Sequence, residues 1–172
     1  FLTSDNGGME NGDPNGKVTD NYPLDEGKIH QEEGGTRVPF IAVGPGIASN
    51  LVSDVMINGL DLMPTILSLA GIPGPGDLDG LDLSALMLTD PTDAQLVTNA
   101  LGEVRDTMYW HFPHSGQNNA TIRKGGWKLF SNFDHVNNGA RNEYRLYHLY
   151  DTNGVRVDIE EMVDLRDTET TM

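Results

Sequence analysis

The feature that most constrains this chain is a long polar loop between two short apolar runs. The two runs, Phe1–Ser4 and Pro39–Val43, are predicted as strands, and the residues between them are rich in Gly, Asp and Asn. This loop is far longer than the usual connection of about 4–6 residues, and long loops without secondary structure of their own are commonly functional or disordered. We therefore expect the chemistry of the chain to concentrate in this loop.

Three groups of residues stand out within the loop. Asp5-Asn6 ends the first apolar run, Gly27-Lys28 lies further along, and Glu33-Gly34-Gly35 precedes the second run. Carboxylate and amide oxygens can coordinate a hard cation, and a nearby ammonium can neutralise an ester oxyanion. The grouping suits a divalent cation with an anionic ester beside it. A polar turn and a solvated lysine are the alternatives that the residues leave open.

The glycine pair in the third group predicts a tight turn that returns the chain to the second strand, because glycine accepts backbone conformations that other residues resist. Glu33 and Arg37 flank this turn. We predict that both side chains form structural ion pairs or hydrogen bonds rather than act as catalysts.

The clearest helix is predicted near Asp61–Ala70. Asp61 can cap it, Pro64 lies in the first turn where a missing N–H is tolerated, and Gly71 ends it. One face of the helix is apolar and is predicted to pack onto the core: Leu62, Ile66, Leu69 and Ala70.

From residue 104 onward the sequence changes to short β-prone runs separated by turn residues such as Lys124-Gly125-Gly126. This alternation is typical of an antiparallel meander. The predicted strands are Met108–Phe112, Ala120–Arg123, Trp127–Phe130 and Tyr144–Tyr150. The side chains around the central turn are predicted to lie on the hairpin surface, and the alternative is that their positive charges face an anionic substrate: Arg123, Lys124, Trp127 and Lys128. The acidic tail from Asp158 onward is predicted to form a short helix.

Composition excludes several classes of function. The 172 residues hold 11 basic and 26 acidic side chains, a formal charge of −15 that argues against nucleic-acid binding. No apolar run approaches the roughly 20 residues of a membrane span, and zero cysteines exclude disulfides and thiolate metal sites. The sequence begins without methionine or a charged leader, so we expect a fragment of a longer protein.

Taken in order along the chain, the motifs resemble the C-terminal part of the sulfatases of the alkaline-phosphatase superfamily. The resemblance covers nearly the whole chain, and the ordered set is more specific than any single motif. It rests on Thr3-Ser4-Asp5-Asn6-Gly7-Gly8, Gly27-Lys28, Glu33-Gly34-Gly35-Thr36-Arg37-Val38-Pro39, Pro45-Gly46-Ile47, Asp61-Leu62-Met63-Pro64-Thr65-Ile66-Leu67, Ala70-Gly71-Ile72, Asp79-Gly80-Leu81-Asp82-Leu83, Tyr109-Trp110-His111-Phe112-Pro113-His114, Ile122-Arg123, Trp127-Lys128-Leu129 and Leu146-Tyr147-His148-Leu149-Tyr150-Asp151.

The resemblance implies an α/β fold, the C-terminal portion of an alkaline-phosphatase-like sulfatase. Residues 1–95 would be the end of the large α/β domain. Residues 96–172 would be a small antiparallel β-sheet subdomain with a helix. One family signature near the C-terminus, Asp-Pro-x-Glu-x-x-Asn-Leu, is only partly matched here. Its counterparts are Asp151-Thr152-Asn153-Gly154 and, further along, Glu161-Met162-Val163-Asp164-Leu165.

The resemblance also implies roles for individual residues. Asp5 and Asn6 would bind calcium, and Lys28 would contact the substrate sulfate as a catalytic and substrate-binding residue. His111 and His114 would face the substrate cleft, with hydrogen-bonded structural histidines as the alternative. The paired aspartates that complete the family's calcium site have no counterpart here, so the site in this chain would be incomplete.

The family's nucleophile is a formylglycine made from a Cys or Ser in a Cys/Ser-x-Pro-x-Arg motif, and no such motif occurs here. We therefore expect a fragment of a sulfate ester hydrolase that is inactive without an N-terminal sulfatase part. The alternatives are a non-catalytic module derived from a sulfatase and a fragment of a related phosphoesterase. The family implies a periplasmic or secreted location, and an exposed sheet edge could favour a homodimer.

Overall fold

The chain folds into two units. The computed structural model describes residues 1–10, 16, 18–113, 118–133 and 143–168. One unit comprises Phe1–Leu2 and Phe40–Asp106, and the other comprises Thr3–Pro39 and Thr107–Met172. The predicted domain boundary between residues 95 and 96 refers to the domains of a complete sulfatase. It stays a prediction.

The first unit is largely irregular, and most of its regular structure is helical. Strand β1 (Leu2–Thr3), at its edge, pairs with β2 (Phe40–Ile41). The first helix of the chain, α1 (Glu33–Thr36), belongs to the second unit. In the first unit, a 3-10 turn (Gly59–Asp61) leads into helix α2 (Leu62–Leu69), which is followed by α3 (Ser84–Leu88) and a second 3-10 turn (Ala94–Leu96). A small apolar core is formed by Leu83, Leu86, Met87 and Val97. Both strands are shorter than the apolar runs that predicted them.

Asp61 occupies the N-cap position of α2, as predicted, but its side chain makes no capping hydrogen bond to that helix. The capping side chain belongs to the preceding 3-10 turn. Asn58, rather than Asp61, accepts the backbone N–H of Leu60, and Asp61 reciprocates by accepting the N–H of Asn58 at 2.8 Å. Asp61 is fully buried and pairs with Arg105. The Asp61 carboxylate therefore stabilises the 3-10 turn. Its burial depends on the ion pair with Arg105, which lies far away in the sequence.

The apolar face predicted for α2 is not buried in this structure. Ile66 is 49% and Leu69 is 40% exposed, and the buried residue of the helix is Thr65. Thr65 Oγ1 donates to the Asp61 carbonyl at 2.6 Å and accepts the Leu83 N–H at 2.9 Å. The predicted core packing of this face is therefore wrong for the chain as it stands, and the buried contacts of α2 include the two hydrogen bonds of Thr65.

The second unit is built on a four-stranded antiparallel sheet. Its strands are β3 (Thr107–Phe112), β4 (Asn119–Lys124), β5 (Trp127–Asn132) and β6 (Tyr144–His148), in the order β3-β4-β5-β6. The predicted meander is confirmed.

One face of this sheet carries buried polar and charged side chains. Along β5, Lys128, Phe130 and Asn132 are buried, whereas the residues between them are more exposed. Lys128 is 0% exposed, so its predicted place on the hairpin surface is wrong. Because side chains alternate between faces along a strand, Lys128 shares the face of Phe130.

The segment after β6 is irregular rather than helical. Residues 157–165 run back along β6, with hydrogen bonds from Val157 N to Leu149 O and from Leu165 N to Leu146 O. The Asp158 carboxylate accepts the N–H groups of Met162 and Val163. These bonds compete with a helical ladder, so the predicted helix is wrong for the tail up to residue 168. No helix in the described part of the chain is long and apolar enough to cross a membrane.

Candidate functional site

Three segments of the polar loop converge through backbone hydrogen bonds within the second unit. Gly7 N donates to Gly35 O at 3.0 Å, which joins the segment after β1 to the short helix α1 (Glu33–Thr36). Lys28 N donates to Gly8 O at 3.0 Å. The structure therefore brings the Asp5-Asn6 segment, the Gly27-Lys28 segment and the glycine pair into one cluster.

Glycine is required where these segments meet. A Cβ on Gly7 would lie 1.6 Å from Gly34 O, and a Cβ on Gly35 would lie 2.0 Å from His30 O. A Cβ on Gly27 would lie 2.3 Å from Gly8 O. No side chain fits at such distances from a carbonyl oxygen, so the glycines let the backbones approach each other directly.

Asp5 and Asn6 lie at the end of β1 with their side chains available. Asp5 is exposed and Asn6 is half-buried, and neither side chain hydrogen-bonds to another described residue. Their oxygens suit a hard cation, but calcium takes about 6–8 oxygen ligands. Among the described residues, no group of three or more His, Cys, Asp or Glu side chains could hold a metal ion. Two oxygen donors are too few for calcium by themselves, so the calcium-binding role of Asp5 and Asn6 stays a prediction.

Lys28 is exposed, and the bond from its backbone N–H to Gly8 O fixes its place beside the Asp5-Asn6 segment. His111 lies elsewhere, at the end of β3, with its ring 5.6 Å from that of Phe133. No hydrogen bond or ion pair between described residues joins His111 to the loop cluster. His114 falls outside the described residues.

The loop is anchored to the sheet by three consecutive buried side chains. Gln31 Nε2 donates to Asn119 O on β4 at 2.8 Å. Arg145 on β6 donates to Glu32 Oε1 at 3.1 Å, and Lys128 on β5 donates to Glu33 Oε1 at 3.0 Å. The predicted ion-pairing role of Glu33 is confirmed. The anchor fixes the end of the loop to a rigid element.

A third carboxylate completes this buried charge cluster. Glu161 Oε1 lies 3.2 Å from Lys128 Nζ, and Glu161 Oε2 accepts the backbone N–H of Glu33 at 2.6 Å. Arg123 lies 3.6 Å from the Glu33 carboxylate. Three cations from adjacent strands, Arg123, Lys128 and Arg145, therefore face three carboxylates.

The carboxylates of the cluster have pKa values that shift in different directions. Burial acts to raise the pKa of Glu33, but Lys128 and Arg123 outweigh it and leave that pKa below its usual range. Arg145 likewise lowers the pKa of Glu32 against the effect of burial. Burial dominates at Glu161, with repulsion from Glu33 and Glu32, and raises its pKa to about 7 despite Lys128. The Lys128 ammonium is thus shared by Glu33 and Glu161, and Glu33 is the carboxylate with the lower pKa.

The sequence-based predictions missed Lys128 and Glu161 as parts of the site's support. The signal for Lys128 was the alternation along β5, which places it on the same face as Phe130. Glu161 gives no comparable signal, because its segment is irregular and its partner Glu33 lies 128 positions away.

An open acidic cavity of about 380 Å³ lies in the second unit. Its walls are Glu10, Asp20, Tyr22, Pro23, Leu24, Asp25, Glu26, Glu160 and Met162. Burial, together with the charges of Glu32 and Glu26, raises the pKa of Asp25 to about 6. The carboxylates along its walls make this cavity unfavourable for an anionic ester.

Comparison with known proteins shows a similarity in the first part of the chain. Residues 1–72 match the sulfatase family, and this range contains Asp5, Asn6, Lys28 and the glycine pair of α1. This first part of the chain is similar to sulfatases.

Two relatives show how much of a sulfatase this chain covers. Mouse N-acetylgalactosamine-6-sulfatase is 46% identical over 91 residues, which is 51% of this chain and 17% of that protein. The extracellular sulfatase SULF-1 homolog of Drosophila melanogaster is 41% identical over 69 residues, 40% of this chain and 6% of that protein. The chain therefore spans less than a fifth of the length of these relatives.

A solved structure supports the fold beyond the matched range. The structure of a protein in complex with its substrate D-glucosamine-2-N,6-O-disulfate aligns with a TM-score of 0.60 and 22% identity. The alignment covers 80% of this chain and 26% of the other. The expected fold, a portion of an α/β sulfatase with a small antiparallel sheet, is confirmed.

Proposed function

We propose that this chain supplies part of the active site of a sulfate ester hydrolase. The observation that carries the proposal is the backbone convergence that places Lys28 beside the segment of Asp5 and Asn6. This convergence lies in the range that matches the sulfatase family. A cation and a pair of oxygen ligands held together are what an anionic ester and its metal require.

Asp5 and Asn6 would provide two of the oxygen ligands of a calcium ion, and further ligands would come from outside this chain. When bound, calcium would offset the negative charge of the sulfate oxygens. The tight backbone contact at Gly7 supports this role, because it fixes the residues that follow the two ligands. The available side chains of both residues support it further.

Lys28 would stabilise the charge of the sulfate group as a point charge. The chain carries a formal charge of −15, so an anionic substrate needs a local cation to approach it. Lys28 is exposed and has no ion pair with a described residue, which leaves its ammonium available. His111 and His114 are proposed to face the substrate from the C-terminal part.

The chemical step would need a nucleophile from outside this sequence. No Cys/Ser-x-Pro-x-Arg motif is present, so the chain by itself offers no residue for conversion to formylglycine. We therefore propose an N-terminal sulfatase part as the obligatory partner. The names of the relatives and of the solved complex favour sulfated amino sugars as the substrate class, and an extracellular relative favours a secreted or periplasmic location.

Reconstitution tests this proposal directly. The chain would be joined to the N-terminal part of mouse N-acetylgalactosamine-6-sulfatase carrying formylglycine, and assayed with an aryl sulfate and an aryl phosphate. We expect the folded hybrid to hydrolyse the sulfate, to lose activity on chelation and to regain it with calcium. The isolated chain should give no turnover and bind calcium only weakly in calorimetry.

Each other outcome points to a different protein. Preference for the aryl phosphate would favour a phosphoesterase relative. A folded hybrid that is inactive with both esters would favour a non-catalytic module. Turnover by the isolated chain, after removal of contaminating enzymes, would show that the site is more complete than proposed.

A further inference from the structure

Glu161 is a buried carboxylate that the proposed chemistry does not use. Its side chain is 0% exposed and lies against two groups, the Lys128 ammonium at 3.2 Å and the Glu33 backbone N–H at 2.6 Å. The second contact satisfies the first N–H of α1, which has no partner within the helix. The residue therefore joins the C-terminal segment to the start of α1.

The segment that carries Glu161 is firmly held by the sheet. Asp158 N donates to His148 O, and Leu146 N donates to the Asp164 carboxylate at 3.0 Å. Glu161 itself has a φ of +51°, a left-handed conformation that is unfavourable for a residue with a side chain. Such a conformation persists only where the surroundings determine it. The position of the Glu161 carboxylate is thus imposed by its anchored segment.

The contact at Glu33 continues through the backbone to the site residues. The helix turn that begins at Glu33 contains Gly34, whose N–H donates to Asp25 O at 2.8 Å, and Gly35, whose carbonyl accepts Gly7 N–H. Gly8, the next residue, accepts Lys28 N–H. Each link is a hydrogen bond between backbones that glycines hold in direct contact.

We propose that Glu161 is a positioning residue that holds α1 and, through α1, sets the Asp5-Asn6 segment and the Lys28 segment in their relative place. This inference rests on the proposed function only for the roles of Asp5, Asn6 and Lys28 in binding calcium and sulfate. The coupling itself is a property of the folded chain and can be measured without substrate or metal.

Amide hydrogen exchange, read residue by residue by NMR, tests the coupling on the whole 172-residue chain. Glu161→Met keeps the approximate side-chain volume but removes the acceptor for Glu33 N–H. We expect exchange at Glu33, Gly7 and Lys28 to accelerate about tenfold or more, the scale of losing a hydrogen bond to a charged group. Exchange within β4 and β5 should remain unchanged.

Two further variants separate positioning from general destabilisation. Glu161→Gln retains a carbonyl acceptor, so it should restore most of the protection at Gly7 and Lys28. Glu160→Met changes the adjacent exposed carboxylate and should leave all these amides as they are in the natural chain.

Several results would overturn the inference. Faster exchange at Glu33 alone, with Gly7 and Lys28 unaffected, would show that the effect stops at α1. Equal acceleration throughout β4 and β5 would show a purely structural role, as would failure of Glu161→Gln to restore protection.

If Glu161→Met does not fold, the natural chain offers an independent test. At low urea concentrations, the amides of Glu33, Gly7 and Lys28 should then exchange through a single local unfolding event. The free energy of opening should be the same for all three amides. Separate openings for these three amides would refute the coupling. None of these outcomes depends on sulfatase activity, so an inactive hybrid would challenge the proposed function and leave the coupling intact.

Discussion

Lys128 Nζ on the central strand β5 lies 3.0 Å from Glu33 Oε1 on the polar loop, and both side chains are buried. The two residues are 95 positions apart in the sequence. Their contact ties the loop that carries Asp5, Asn6 and Lys28 to the antiparallel sheet. The support of the candidate site is therefore a buried ion pair that joins distant parts of the chain.

Replacement of Lys128 by Met should destabilise the fold strongly. The variant leaves the buried carboxylates of Glu33 and Glu161 without their shared ammonium, and removing one partner of a buried pair typically costs about 3–5 kcal/mol. Urea unfolding at pH 8 would measure the loss in the free energy of unfolding.

Lys124→Met is the matched control, since Lys124 is an exposed lysine at the end of β4. Surface substitutions usually change the free energy of unfolding by less than about 0.5 kcal/mol. Equal losses in the two variants would mean that the charge of Lys128 is not what holds the cluster together.

The strand of Lys128 could be predicted from the sequence, but the role of Lys128 could not. Turn residues such as Gly125 and the β-prone runs around them indicate the hairpin, and the structure confirms it. The burial of a lysine depends on whether carboxylates reach it from elsewhere. Those carboxylates come from the loop and from the C-terminal segment, so local patterns give no sign of them.

The pH dependence of stability should carry a contribution from Glu161. Burial raises its pKa from 4.5 to about 7 in the folded chain, where it faces Lys128 of β5, Glu33 of α1 and Glu32 of the loop. The folded state therefore binds this proton more tightly than the unfolded state. The contribution of the Glu161 proton to the free energy of unfolding is complete below about pH 4.5 and is lost as pH rises to about 7.

Glu161→Gln removes this titration while keeping an acceptor for Glu33 N–H. We expect the variant to gain stability relative to the natural chain as pH rises from 5 to 8, measured by urea unfolding at unit steps. Glu160→Gln is the control and should follow the natural chain at every pH. A constant difference between Glu161→Gln and the natural chain across this range would contradict the raised pKa.

Gly7→Ala should disrupt the cluster of loop segments. The new methyl group would lie 1.6 Å from Gly34 O, so the backbone after Asn6 would have to move. Overpacking of this kind typically costs about 1–3 kcal/mol. Thermal unfolding would measure the loss, and Gly76→Ala, where a Cβ meets no atom within 4 Å, should be close to neutral. Tolerance of both changes would show that the backbones are not held in contact.

The loop also shows where prediction from sequence ends. The Asp5-Asn6, Gly27-Lys28 and glycine-pair groups could be identified from residue types, and the backbone bonds of Gly7 and Lys28 bring them together. The face of α2 was misjudged because an apolar stripe predicts burial without naming what covers it. In this chain Ile66 and Leu69 of that stripe remain exposed.

Lys28→Ala should impair catalysis in the reconstituted enzyme without affecting its fold. If the ammonium stabilises sulfate charge that grows in the transition state, its removal should lower kcat/KM by about a hundredfold or more. Stability should remain near that of the natural chain, because Lys28 is exposed and its hydrogen bond to Gly8 uses the backbone N–H. Steady-state kinetics with an aryl sulfate and urea unfolding would measure the two effects separately.

Lys124→Ala provides the comparison, since it removes the same charge from an exposed position on the hairpin. Any general effect of making the chain more acidic should appear in both variants, whereas a specific contact with sulfate should appear only at Lys28. Raising the ionic strength should shrink the general effect, because exposed charges more than about 10 Å apart are largely screened at 0.1 M salt. If the two variants lose activity equally at high salt, Lys28 is an ordinary surface charge and the sulfate group is bound elsewhere.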